Sequence, residues 1–171
     1  MHPDRARWNE KYRKGGHDLP SIPLLMYQGR LTRGRALDVA GGLGENAAIL
    51  ALAGWTVTLV DLSDVALDRA RRRAFELKAD VRLIQADARR LPLRGPFETI
   101  VASHFLDRSI AGDLVRLLAP GGTLFCEQPR TGLRPEYLVS AGEFPRLYPD
   151  LEVVLDAADG DRAVFIGRRK A

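Results

Sequence analysis

The sequence contains a single cysteine, Cys126, among 171 residues. One cysteine cannot form an internal disulfide, and it excludes a metal site built from clustered cysteines. No apolar run approaches the ~20 residues that a membrane-spanning helix requires. The first residues are not followed by an apolar stretch, so no secretory signal is expected. These absences predict a cytoplasmic protein with no membrane partner and no metal.

Lysine is also scarce, and arginine supplies most of the positive charge behind the net charge of +4. A basic protein can bind nucleic acid. Here, however, the arginines are scattered, apart from a cluster at 69–73 and another at the C-terminus. A surface helix and a chain end both accommodate such clusters. A solvated surface is therefore favoured over an RNA footprint.

The apolar pattern alternates between short β-rich runs and amphipathic stretches, which predicts an α/β domain with a mainly parallel sheet. Predicted strands cover 35–40, 56–61, 81–87, 97–105, 123–127, 151–156 and 162–168. Predicted helices cover 4–14, 20–31, 45–53, 64–78, 107–118 and 135–147, the last broken near Gly142. The final two strands are close enough to pair as an antiparallel hairpin. We expect one domain, 1–171, with 1–31 as an N-terminal helical lid segment.

The strongest motif is the sequence DVAGGLG at 38–44, between the first predicted strand and the next helix. Glycines let a ligand approach the backbone closely because no Cβ stands in the way. The helix that follows directs its free N–H groups to the same place. The stretch therefore predicts a cradle for a nucleotide-like ligand.

Two cofactors fit this cradle. Residues 42–47 match the dinucleotide fingerprint G-x-G-x-x-G/A, and Asp61 follows Gly42 by 19 residues, as a ribose-binding acid should. That pattern suits NAD, and it suits S-adenosylmethionine (SAM) equally because both carry an adenosine. Asp38 favours SAM, since an acid would lie near the pyrophosphate of NAD but near the cationic ammonium and sulfonium of SAM.

The motif at 38–44 resembles the first motif of class I SAM-dependent methyltransferases, D/E-x-G-x-G-x-G, with Ala40 in place of the first glycine. The LAPGG turn at 118–122 before an apolar strand is similar to the same family. Residues 44–46 and 105–108 look nearest to small bacterial tellurite-resistance (TehB-like) and thiopurine-methyltransferase-like enzymes. Glu45 stands where those groups carry arginine.

This resemblance implies a Rossmann-like, seven-stranded, mostly parallel sheet in the order 3-2-1-4-5-7-6. Helices would cover both faces, and an antiparallel hairpin would close the chain. It also implies SAM as the cofactor and S-adenosylhomocysteine as the product. The cofactor-binding residues it implies are Asp38, Ala40, Gly41, Gly42, Gly44, Asn46, Asp61, Leu62, Asp87, Ala88 and Ser103.

Two of these acids have alternative interpretations. Asp61 closes the second strand, where a carboxylate can accept both ribose hydroxyls. It could instead cap the next helix, but Ser63 and Asp64 already suit that purpose. By the resemblance, Asp87 accepts the adenine amino group, whereas the alternative is a cap for the turn that follows it.

The sequence says less about the residues that would bind the methyl acceptor. His104 follows the fourth strand and, with a side chain that titrates near neutral pH, is the candidate general base. Its alternative is a residue that packs or shapes the pocket. Trp8 and Tyr12 share a helix face and either fasten this helix to the core or cover the site. A flexible joint at 15–18 would connect that helix, and Arg108 is a further candidate substrate residue.

With no added substrate domain, a small-molecule acceptor is favoured. An RNA- or protein-directed methyltransferase is one alternative. A non-catalytic SAM-binding partner subunit and an NAD-linked oxidoreductase are two more. The chain is expected to be a monomer or a homodimer.

Overall fold

The computed structural model describes residues 3–16, 19–132 and 134–171. The predicted joint at 15–18 therefore falls partly outside the described residues, because His17 and Asp18 are not among them. Of the described part, Gly16 packs against the glycine-rich turn. A β-carbon built on Gly16 would lie 2.5 Å from Leu43 Cδ1.

Seven strands form one sheet in the order β3-β2-β1-β4-β5-β7-β6, which confirms the predicted topology. The strands are β1 Arg35–Val39, β2 Thr56–Asp61, β3 Val81–Gln85, β4 Phe97–Ser103, β5 Leu118–Pro129, β6 Leu151–Asp159 and β7 Arg162–Arg169. β1 to β5 run parallel. β7 runs antiparallel to both β5 and β6, as the predicted hairpin requires.

Six α-helices connect and cover these strands in the described part of the chain. They are α1 Pro3–Lys14, α2 Ile22–Tyr27, α3 Glu45–Leu52, α4 Asp64–Leu77, α5 Ala111–Leu117 and α6 Glu143–Leu147. Short 3-10 turns precede α5 and α6 at Arg108–Ile110 and Pro135–Tyr137. None of the helices described is long and apolar enough to cross a membrane.

The two faces of the sheet bury separate hydrophobic clusters, because successive strand residues point to opposite sides. One cluster joins the sheet to α5 and α6 through residues such as Ile100, Leu114 and Phe144. The other joins it to α2, α3 and α4 through residues such as Leu24, Leu50 and Leu59. The sheet is therefore covered on both faces, as a mainly parallel sheet requires.

Several predicted boundaries were wrong. The helix expected at 135–147 is a 3-10 turn, Pro135–Tyr137, followed after a gap by the short helix α6, Glu143–Leu147. The LAPGG stretch was expected to be a turn, but β5 already begins at Leu118, which pairs with Phe97. A register shift between Phe97 and Thr99 absorbs the extra residues, and Gly121 adopts φ +74° within them. Strand pairing on both sides therefore continues across the bulge. The final hairpin is also tighter than expected, since only residues 160 and 161 separate β6 from β7.

Candidate functional site

The candidate site lies at the C-terminal ends of β1, β2, β4 and β5, beside the point where the strand order reverses between β1 and β4. Open α/β sheets bind ligands at such a point. Strand alternation directs Asp38, Asp61 and Ser103 to the face that also carries α2, α3 and α4. The predicted acids at the ends of β1 and β2 are thus brought together with the end of β4.

The glycine-rich turn is fixed by backbone hydrogen bonds and by tight packing. Gly41 N–H donates to Val60 C=O at 3.1 Å, and Gly44 N–H donates to Gly41 C=O at 3.0 Å. A β-carbon on Gly41 would lie 2.6 Å from Asp38 Oδ2, and one on Gly44 would lie 2.9 Å from Ala70 Cβ. A side chain at either position would therefore clash with residues beneath the turn. The two glycines also let a ligand approach the turn from above.

Ala40, which replaces the first glycine of the motif, adopts φ +52°. This is the left-handed region, where a residue with a Cβ is strained by about 1–2 kcal/mol. The turn therefore keeps the backbone path typical of glycine despite the substitution.

Asp38 lies beneath the turn rather than at its surface, with only 1% of the residue exposed. Its Oδ2 atom has no hydrogen-bond partner within the described part of the chain. Burial, and to a lesser extent the neighbouring carboxylates of Glu45 and Asp61, raise the pKa of this carboxyl to about 8. In this conformation Asp38 can act on a ligand through its charge and proton, not by direct contact.

Asp61 connects the end of β2 to the turn. Its Oδ2 accepts from Gly42 N–H at 2.9 Å and its Oδ1 accepts from Ser63 N–H at 2.8 Å. The cap of α4 is Ser63, whose Oγ accepts from Ala66 N–H at 3.0 Å, so the helix-cap alternative for Asp61 does not hold. Each carboxylate oxygen keeps a second lone pair, which leaves capacity for ribose hydroxyls. Burial raises the pKa of Asp61 while the backbone donors oppose that rise.

In the structure, Asp87 makes the contacts of its alternative role, a cap for the turn that follows it. Its Oδ1 accepts from Arg89 N–H at 2.9 Å and caps the turn Ala88–Arg90. Arg89 Nε lies 3.0 and 3.1 Å from the two carboxylate oxygens, and Arg89 Nη2 also contacts Asp4 Oδ2 at 3.0 Å. Ala88 is buried, and Leu62 C=O accepts from Gln85 Nε2. The adenine role of Asp87 stays a prediction.

Asn46 and its neighbour bind other helices. Asn46 Oδ1 accepts from Ser21 N–H at 2.9 Å, which anchors the start of α2. Glu45 Oε1 lies 2.8 Å from Arg73 Nη1 of α4. Glu45, which stands where the TehB-like groups carry arginine, is therefore paired with an arginine of the neighbouring helix α4.

α1 crosses over the turn from the side of α4. Asn9 Oδ1 accepts from Ser63 Oγ at 2.6 Å, and Asn9 Nδ2 donates to Asp64 Oδ1 at 2.7 Å. The rings of Trp8 and Tyr12 stack with centroids 5.8 Å apart. A β-carbon on Gly42 would lie 2.8 Å from the Tyr12 hydroxyl oxygen, so Tyr12 stands directly on the turn. Burial and the nearby carboxylate of Asp61 raise the pKa of Tyr12.

His104 lies on the other side of the site and adopts φ +55°. Its Nε2 is 3.9 Å from Oε1 of Glu127, which is fully buried at the end of β5. Glu127 also accepts from Ser103 Oγ at 2.8 Å and from Arg162 Nη1 at 2.9 Å. Sequence reasoning missed Glu127 and Arg162. The available signal was a charged residue, Glu127, at the end of the largely apolar strand predicted at 123–127.

Arg108 binds other residues of the chain. Its guanidinium pairs with Glu143 Oε1 at 2.6–2.7 Å and donates to the carbonyls of Glu136 and Leu138. These contacts fasten the segment before α6 to the start of α5. The substrate role of Arg108 stays a prediction.

Several known proteins similar to this chain are methyltransferases. Residues 36–122 match the family described as "Methyltransferase domain". A protein-L-isoaspartate O-methyltransferase of Dechloromonas aromatica is 33% identical over 78% of this chain and 60% of its own length. A demethylmenaquinone methyltransferase of Thermus thermophilus is 38% identical over 53% of this chain and 44% of its own length. The chain thus spans about half the length of the curated relatives it matches.

The fold is similar to that of TehB from Haemophilus influenzae. The TM-score is 0.79 at 16% identity, over 97% of this chain and 67% of TehB. At that identity the likeness concerns the fold. The strand order and the glycine-rich turn with its acids agree with the match over residues 36–122, which shows that the chain belongs to the methyltransferase-domain family.

Proposed function

We propose that this chain transfers a methyl group from SAM to a small-molecule acceptor at the C-terminal edge of the sheet. The observation that carries the proposal is the pair of acids, Asp38 and Asp61, around a glycine turn that α1 covers. SAM supplies an electrophilic methyl group when it is bound. The residues of the chain then have to hold it, align the acceptor and exclude water.

The acids fit a cationic adenosine ligand. Asp61 is anchored by two backbone N–H groups and keeps lone pairs for ribose hydroxyls. Asp38 has an unsatisfied buried oxygen beneath the turn, and a nearby positive charge favours its ionised form. Asp87 is the candidate partner of the adenine amino group. A pyrophosphate, by contrast, would bring negative charge next to these acids and would disfavour their ionised forms.

α1 supplies the cover of the cradle. Tyr12 stands on Gly42, and Asn9 fastens the helix to the start of α4. A covered site excludes water, which strengthens the electrostatic interactions inside it and helps in-line alignment. Trp8 and Tyr12 are therefore assigned to the lid and to the wall of the acceptor pocket.

His104 is the candidate general base for an acceptor that arrives protonated. More than half of its side chain, 57%, is exposed, so an acceptor can approach it. Two relatives of similar identity are named for different acceptors, isoaspartate and demethylmenaquinone. The acceptor of this chain is therefore argued from its own residues.

Calorimetry followed by a turnover assay tests the proposal. SAM and S-adenosylhomocysteine should bind, while NAD at the same concentrations should give no heat of binding. Formation of S-adenosylhomocysteine with a panel of small hydroxyl, amine and thiol acceptors should then identify the acceptor class. Binding of NAD without SAM would overturn the cofactor assignment. Turnover only with RNA or protein would overturn the small-molecule assignment.

A further inference from the structure

Glu127 is a buried acid whose position calls for an explanation. It is 0% exposed, and it contacts Ser103 and Arg162. Removing a carboxylate from water costs several kcal/mol, and replacing a buried ion pair by apolar residues is often neutral or stabilising. The ion pair with Arg162 is therefore weak evidence that Glu127 serves only to stabilise the fold. A third neighbour of Glu127 points to another role.

That neighbour is His104. Its backbone N–H donates to Glu127 C=O at 2.8 Å, and its Nε2 lies 3.9 Å from Glu127 Oε1. The left-handed backbone at His104, φ +55°, costs about 1–2 kcal/mol for a residue with a Cβ. Strained residues of this kind cluster at functional sites. The fold thus holds the imidazole with one edge toward a buried acid and much of the ring open to solvent.

We propose that Glu127 is a positioning residue for His104 in methyl transfer, an inference that rests on the proposed function. The acceptor's lone pair forms the bond to the methyl carbon, the carbon–sulfur bond breaks with its electrons left on sulfur, and the acceptor's proton passes to His104. Glu127 stabilises the imidazolium that results and orients the ring, so that the nitrogen facing away from the acid receives the proton.

Arg162 sets the strength of this effect. It binds the same carboxylate oxygen, Oε1, that lies closest to His104. Its positive charge offsets part of the field of Glu127 at the imidazole, while Ser103 contributes only a neutral donor. Removing Glu127 and removing Arg162 should therefore change the pKa of His104 in opposite directions.

Histidine NMR titration of the full chain tests this without an acceptor, and the sequence has only three histidines to assign. Glu127→Gln should lower the pKa of His104 by about one pH unit, the scale for losing an opposite charge at this distance. Arg162→Gln should raise it. Glu98→Gln is the matched control, because Glu98 lies at the start of β4, about 17 Å from its end at ~3.3 Å per residue, and should leave His104 unchanged.

An unchanged pKa of His104 in a folded Glu127→Gln variant overturns the proposal. If that variant does not fold, Arg162→Gln decides, and a pKa of His104 that stays constant or falls overturns it. The titration does not depend on SAM, whereas absence of SAM binding in the unmodified chain would overturn the proposed function instead.

Once the acceptor is identified, the pH dependence of kcat provides a second test of the role of Glu127. A general base must be neutral, so kcat falls on the acid side of its pKa. In Glu127→Gln the acid limb of the kcat profile should move to lower pH and kcat should drop at least tenfold, while the KM for SAM stays constant. A lower kcat with an unmoved acid limb would contradict a role through His104.

Discussion

At the scale of single residues, Asp61 holds the glycine turn in place and, under the proposed function, also binds the cofactor. Its two oxygens already satisfy Gly42 N–H and Ser63 N–H. An alanine at this position would leave two buried donors unpaired, each at a cost of about 1–3 kcal/mol. Removing the side chain therefore tests stability and binding at once, and a less drastic change separates the two.

Asp61→Asn should weaken SAM binding about 10- to 100-fold, because the amide offers one acceptor oxygen where the carboxylate offers two charged ones. Stability should fall by about 1–2 kcal/mol. Glu98→Gln is the control, since Glu98 also accepts a strand-end N–H, that of Arg35, at the opposite end of the sheet. Calorimetry and urea denaturation measure both effects. An unchanged SAM affinity in Asp61→Asn would contradict the ribose assignment.

Asp38 should make the stability of the ligand-free chain fall as pH rises. The unfolded carboxyl ionises above its ordinary pKa of 3.8, while the folded one keeps its proton up to about 8. Across that window the folded state holds the extra proton, so this group lowers the free energy of unfolding by about 1.4 kcal/mol per pH unit. Asp38→Asn lacks the effect. Its stability relative to the unmodified chain should rise between pH 5 and pH 8 in urea denaturation, and parallel curves would contradict the assignment.

At the scale of elements, α1 is fastened by polar contacts rather than by the core. Neither of the two hydrophobic clusters, as far as the structure describes them, contains a residue of α1. Apart from the packing of Tyr12 on Gly42, its contacts include hydrogen bonds and ion pairs, such as Asn9 with Ser63 and Asp64, and Arg5 with Asp64 at 2.9 Å. An element held in this way can open at low cost, as a lid over a cofactor must.

Deleting residues 1–14 should therefore abolish methyl transfer and leave a folded core. Asn9→Ala should speed SAM dissociation by several fold, since it breaks the two contacts to the start of α4. Glu10→Gln, on the same helix and paired only with exposed Lys14 among the described residues, should behave like the unmodified chain. Stopped-flow release of SAM measures this. Normal turnover by the truncated chain would rule out the lid.

The elements themselves were largely predictable, because the apolar period distinguishes strand from helix and the glycine motif marks the first crossover. Contacts between residues far apart in sequence could not be predicted. Asn46 binds Ser21, Tyr12 covers Gly42 and Glu127 meets Arg162. Periodicity gives the face on which a residue lies but not the side chain that it meets. The bulge in β5 was missed because a PGG sequence looks like a turn until its flanks are seen to pair with Phe97 and Thr99.

At the scale of the whole molecule, the proposed cofactor site divides the sheet into a half that should respond to SAM and a half that should not. β1, β2 and β4 end at the glycine turn, whereas the β6–β7 hairpin closes the far edge. α1 and α4 meet over the turn through Asn9 and Ser63. Cofactor binding should thus stabilise the chain globally by mass action and order the turn and α1 locally.

SAM at 100 times its dissociation constant should raise the free energy of unfolding by about 2.7 kcal/mol, a rise in Tm of about 5–11 °C for a chain of this size. NAD at the same concentration should leave Tm unchanged. In hydrogen exchange, SAM should slow the amides of α1 and the turn at 41–44 far more than those of β6 and β7, because only the former lie against the proposed cradle. Equal slowing throughout would mean that SAM acts on global opening alone, and protection confined to the hairpin would place the cofactor at the wrong edge of the sheet.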